Sequence, residues 1–167
     1  MIYRFRVILD TKDDVFRDIE VKDDITMEDF HNSITQAFGF EGNEMASFYQ
    51  SDEEWNQGEE IALFDMSEGT SQVRIMNETA LDEMVTEQSP RLIYVYDFLS
   101  MWTFLVELAE IAEPDYSIDY PNLIFAHGEL PPEAPDKEFN ADDNDLDLDD
   151  DLDVDNYDDL DFDENWN

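Results

Sequence analysis

Residues 138–167 hold 15 Asp and Glu and no Lys or Arg. Single apolar residues stand among the acids: Leu146, Leu148, Leu152, Val154, Tyr157, Leu160, Phe162 and Trp166. A spacing of two would suit a strand, but carboxylates at this density repel one another too strongly to sit side by side in a sheet. High charge with spaced apolar residues instead describes an acidic-hydrophobic disordered segment. Folding is thereby confined to the preceding chain. The expected organisation is one domain over 1–135 and a disordered Asp-rich tail over 136–167.

The domain is acidic too. Residues 1–137 carry 31 acids against all 8 bases, a net −23 within a chain total of −38. Hydrophobic residues make up 42% of the chain, too many for disorder throughout, and the length suffices for one proper core. A surface this negative repels phosphate backbones and anionic lipid. Nucleic-acid binding works largely through Lys and Arg contacts that release counterions, so neither direct nucleic-acid binding nor a membrane partner is expected. Basic proteins, basic peptides and divalent cations are the natural electrostatic partners. The absence of cysteine removes disulfides, thiolate metal sites and cysteine nucleophiles. Met1–Leu9 alternates and includes Arg4 and Arg6, unlike a signal peptide. No apolar run approaches a membrane span, and the cytoplasm is the default location.

Tyr3, Phe5, Val7 and Leu9 alternate as in a half-buried strand. Phe16, Ile19 and Val21 predict a second strand that closes a hairpin. A phase slip near Phe16 suggests a bulge there. A helix is predicted over 27–38. Thr26 is its N-cap with Asp29 three residues on, Met27, Phe30, Ile34, Ala37 and Phe38 form its apolar face, and Gly39 follows as a C′ residue. Short strands are expected at Ala46–Gln50 and Ile61–Phe64, a loop at Ser67–Thr70, and a short second helix over Glu78–Glu87. Arg91–Phe98 is apolar on both faces and predicts a central strand. Trp102–Ile111 reads as its hairpin partner across Leu99–Met101, with a helix as the competing reading because Leu, Ala and Glu favour helices. A last short strand is expected at Leu123–Ala126, then turns over Gly128–Pro135. The fold class is α+β, a mixed or mainly antiparallel sheet with one principal and one short helix. The strand–strand–helix opening is compatible with a β-grasp-like arrangement.

Few residues suggest chemistry. His31 falls beside Phe30 off the main apolar stripe and reads as a surface residue, while His127 sits in a late loop. The two could meet with a carboxylate to bind a metal, but the simpler reading is two unconnected histidines. Asp97 ends the strongest strand beside a turn. It suits turn capping, or a pocket shared with Trp102, His127 and Glu133. Acid–base catalysis would need a second group of contrasting pKa within reach. Asp151, Asp153 and Asp155 match the first ligand positions of an EF-hand loop, but Asn156 replaces its glycine and Phe162 its bidentate glutamate. Five glycines form no phosphate loop or dinucleotide fingerprint. Neither Ser100 nor Ser117 is marked as an activated nucleophile.

The segment Tyr94-Val95-Tyr96-Asp97-Phe98, followed by Trp102, resembles the YxYDFGDxW core of the plasmid ORF-three-like family. These proteins are also labelled as an insertion-element passenger called TnpR. Gly128 and then Pro131-Pro132-Glu133 resemble that family's later glycine and Pro-Pro-Glu-Asp segment, and the capped helix ending in Phe38-Gly39-Phe40 is similar as well. The likeness covers about 1–135 and excludes the tail. The family's Gly-Asp after YDF is Leu99-Ser100 here, Phe104 stands at its W-x-H histidine, and Ala134 replaces the last Asp. A site made by those polar positions in relatives would be largely dismantled here. The TnpR label implies a link to recombination, yet the clustered arginines of a recombinase are missing.

These features predict a non-enzymatic, acidic interaction protein without cofactor, metal or catalytic residue. Its tail, through Tyr157, Leu160, Phe162 and Trp166, is expected to engage a basic protein partner. The competing reading is a small-ligand protein, metal-binding protein or hydrolase-like enzyme with a cleft near Asp97, His127 and Glu133.

Overall fold

The computed structural model describes residues 1–65 and 73–135. The loop expected at Ser67–Thr70 and the whole acidic segment, including Tyr157, Leu160, Phe162 and Trp166, lie outside the described residues. Met1–Ala134 forms one compact unit.

In chain order the elements are β1 (Ile2–Leu9), β2 (Phe16–Lys22), α1 (Met27–Phe38), β3 (Ala46–Ser51), β4 (Gln57–Ala62) and β5 (Arg74–Ile75). A 3-10 turn (Met76–Glu78), α2 (Leu81–Met84), β6 (Arg91–Tyr96), β7 (Trp102–Ala112) and β8 (Asn122–His127) follow. The strands make one sheet in the order β5-β4-β3-β6-β7-β1-β2-β8. Every pairing is antiparallel except β4 with β5. The protein is α+β, with a mixed sheet, one main helix and one short helix. Among the described residues, no helix is long and apolar enough to cross a membrane.

Local chemistry explains α1. The Asp29 N–H donates to Thr26 Oγ1 at 3.1 Å, and the Thr26 N–H donates to Asp29 Oδ2 at 3.3 Å. This reciprocal capping box satisfies two donors that the helix start would leave unpaired. The helix stops at Gly39, whose φ of 85° lies in the left-handed region that glycine enters without penalty. Phe30 packs on Phe5 of β1 at 4.5 Å and on Phe48 of β3 at 5.4 Å, and Phe38 packs on Phe104 of β7 at 4.7 Å. These contacts press the apolar stripe of α1 onto one face of the sheet. Leu81 and Met84 of α2 join the same core.

The central position expected for Arg91–Phe98 is observed: β6 lies between β3 and β7. Trp102–Ala112 is an 11-residue strand, so the strand reading prevails over the helix. The alternation of Trp102, Phe104 and Val106, all buried, outweighs the helix propensity of Leu and Ala there.

Other expectations need correction. β1 and β2 pair without interruption from Ile2↔Lys22 to Ile8↔Phe16, so Phe16 is not bulged. The irregularities lie between β1 and β7 at Arg4/Phe5, and between β2 and β8 at Asp18/Ile19. The strand expected at Ile61–Phe64 starts earlier, at Gln57, because pairing with β3 carries the polar stretch Gln57–Glu60. The helix expected over Glu78–Glu87 shrinks to α2. Ala80 offers no side-chain cap, and Val85 already has extended backbone. The strand–strand–helix opening is present, but both neighbours of β1 run antiparallel to it, whereas a β-grasp sheet places a parallel strand beside the first.

Candidate functional site

Asp97 follows β6 with a φ of 64°, in the left-handed region that Asp tolerates better than most residues. Its backbone N–H donates to Met45 O at 2.7 Å, and its carbonyl accepts from the Met101 N–H at 2.6 Å. Its carboxylate accepts from the Leu99 N–H at 3.2 Å and lies 3.5 Å from the Ser100 N–H. The side chain therefore caps the β6–β7 turn in the manner of an Asx turn. Trp102, directly after the turn, is a core residue packed edge-on against Phe40 at 5.2 Å.

His127 lies elsewhere. It ends β8, is exposed, and stacks on Phe16 at 5.3 Å. Four strand steps separate β6 from β8, about 19 Å across the sheet at the usual spacing, and His127 is level with Ile93 rather than with Asp97. Glu133 is exposed in the segment after β8, between Leu130 and Ala134, which pack against the core. The structure thus does not gather Asp97, Trp102, His127 and Glu133 into a common cleft. A cleft of about 430 Å³ does open between α1, the end of β2 and Tyr120–Pro121. It is lined by Lys22, Asp29, Asn32 and Gln36 among others, and by none of those four.

His31 is a second correction. It is only 2% exposed, and its Nδ1 shares a 2.5 Å hydrogen bond with the Tyr94 hydroxyl on β6. Burial lowers its pKa from 6.5 to about 4, and burial above all, with the neighbouring Tyr96, raises that of Tyr94 well above the ordinary phenol value. The pair is held neutral between helix and sheet. His31 is therefore separated from His127 by its place beneath α1, and the two do not make a joint site.

On the face away from the helices, direct strand partners form a mainly apolar row, Tyr49, Ile93, Leu105, Ile8 and Phe16, that ends in His127. An ion-pair ladder runs beside it. Arg91 meets Glu107 at 3.2 Å and Arg6 meets Asp18 at 2.8 Å. Further along, Arg4 holds the buried Glu20 at 2.6 Å and also contacts Glu110. Sequence reasoning missed Glu20, which is 5% exposed and also accepts from Asn122 Nδ2 at 3.2 Å. Its position opposite Arg4 across the hairpin was the available signal.

The edge strand β8 is the most open part of the sheet. Leu123, Ile124 and Phe125 are 48%, 42% and 51% exposed. At the opposite edge, β5 has two residues and carries Arg74, paired with Glu59 and Glu83 at 3.2 Å each. Short, charged edges resist pairing with other chains. β8 is longer and lacks Lys, Arg, Asp and Glu.

The fold is similar to that of the protein of unknown function MM3350 from Methanosarcina mazei Go1. The TM-score is 0.65 at 18% identity, covering 75% of this chain and 68% of that chain. Among curated proteins, none matches. The model of the plasmid pRiA4b ORF-3-like proteins matches residues 1–140. With the match running from the first strand past Pro131-Pro132-Glu133, this chain belongs to the plasmid pRiA4b ORF-3-like protein family.

Proposed function

We propose that this protein is a non-enzymatic, acidic binding module whose segment 138–167 captures a basic protein partner in the cytoplasm. The observation that carries the reading is the distribution of charge: 15 acids and no base in that segment, on a chain of −38. Tyr157, Leu160, Phe162 and Trp166 interrupt the acids and supply apolar anchors for a groove rimmed by Lys and Arg. The folded unit supports the same reading. Its polar groups with the most defined settings serve the fold: Asp97 caps a turn, His31 is bonded to Tyr94, and Glu20 is bonded to Arg4.

The test replaces Tyr157, Leu160, Phe162 and Trp166 by Ser in the full-length chain. Capture of basic proteins from lysate is then compared with the unaltered chain at low salt. Loss of a captured basic protein is the expected result. Undiminished capture would remove the apolar anchors from the account.

A further inference from the structure

We propose that β8 is a strand-accepting edge, and that its occupant is an extended basic segment of the partner. The inference rests on the proposed function for the partner's charge, but on different residues.

Among the described residues, β8 has a strand neighbour on one side, β2. The backbone N–H and C=O groups along the other side call for an extended chain, because an added strand satisfies them in series. Phe125–His127 pairs in regular register with Phe16–Asp18, whereas Ile124 has no counterpart on β2. Such a bulge shortens the regular edge, and Arg17 Nη1 already donates to the His127 carbonyl at 3.0 Å, so an added strand would anchor on the backbone of Phe125 and Ala126. Phe125 and His127 flank Phe16 at 5.8 and 5.3 Å, and Arg6 lies 4.2 Å over the Phe16 ring. This cluster prolongs the apolar row of the second face to the edge, and an added strand could extend it with its own apolar side chains.

Charge selects the occupant. Between Arg91 and Lys137 the chain has no Lys or Arg. The strand itself is uncharged, and exposed carboxylates stand on both sides of it in sequence: Asp115 and Asp119 before, Glu129 and Glu133 after. An occupant with apolar residues at alternate positions and Lys or Arg at both ends matches this pattern. A second copy would set one carboxylate-flanked strand against another on chains of −38, and the acidic segment 138–167 would meet the same repulsion.

The test uses the full-length protein and a nine-residue probe, Lys-Lys-Val-Thr-Val-Thr-Val-Lys-Lys. A control peptide carries proline at both threonines, which keeps the charge and forbids strand pairing. Amide hydrogen exchange and peptide affinity are measured at low salt. The expected result is at least tenfold slower exchange at amides within 122–127 on adding the probe, and at least tenfold weaker binding of the control. Ile124→Lys and, separately, Phe125→Asp should each weaken probe binding at least tenfold with an unchanged thermal midpoint. Two variants guard against a local folding defect in either.

Equal binding of both peptides, with no change in 122–127, would overturn the edge and leave a purely electrostatic partner for the acidic segment. A stable dimer of the free protein that Ile124→Lys dissociates would assign the edge to a second copy and overturn the proposal. Probe failure alongside tail-dependent capture of a basic protein would remove the edge and leave the proposed function standing.

Discussion

His31 should make the protein lose stability with mild acid in a way that one substitution removes. In the unfolded chain the imidazole takes up a proton near pH 6.5, and in the folded protein only near 4. Between those values the unfolded state binds more protons, so stability is fully present above pH 6.5 and drains away as pH falls toward 4. At pH 5 the unfolded ring is almost wholly charged and the folded ring almost wholly neutral, a loss of about 2 kcal/mol relative to pH 7.5. His31→Gln keeps a hydrogen-bonding partner for Tyr94 and removes the titration. Urea unfolding of both proteins at pH 7.5 and 5.0 isolates the effect, because the many carboxylates are common to both. The unaltered protein should lose about 2 kcal/mol more than the variant over that interval. Parallel losses would refute the reasoning and imply that the ring is hydrated or able to charge in place.

Other side chains give sharper structural tests. Arg4→Met leaves the buried carboxylate of Glu20 with Asn122 as its remaining partner. It should cost about 2 kcal/mol in urea unfolding, reduced because Arg4 is partly exposed, and Glu20→Gln on the same chain should recover part of it. Gly128 has a φ of 79°, and a Cβ there would lie 2.5 Å from Asp14 O. Gly128→Ala should therefore lower stability by about 2 kcal/mol or more, visible as a lower thermal midpoint. Asp97→Gly keeps the positive φ and loses only the cap, so it should cost less than about 1 kcal/mol. Asp97→Val loses both and should cost about 2 kcal/mol in the same assay. If the two substitutions cost the same, the turn conformation is not what Asp97 supplies.

Elements with strong local signals were legible. The capping box at Thr26 and Asp29, the apolar spacing after it and Gly39 defined α1 to the residue. The aromatic and β-branched run of β6 identified a central strand because it is buried on both faces. β4 was hidden because its first four residues, Gln57–Glu60, are polar or glycine and are held as a strand by β3. β5 is two residues long, too short for any period to show. The burial of His31 was readable in principle, since it lies four residues after Met27 and three before Ile34 on the helix face. Its polarity masks that spacing, and the facing Tyr94 hydroxyl explains its tolerance there. The pocket expected around Asp97 was a failure of a different kind. Sequence proximity to a well-matched motif says nothing of how many strands separate Asp97 from His127, a separation set by the insertion of β1 and β2 between β7 and β8.

Recruitment of a basic partner by segment 138–167 is open to a direct experiment. A lysate pull-down compares the full-length chain and the 1–137 truncation side by side, at low and raised salt. The truncation retains the compact unit Met1–Ala134 with its core. The expected result is a basic protein captured by the full-length chain, released as salt rises, and absent from the truncated chain. Equal capture by both, or capture indifferent to salt, would contradict it.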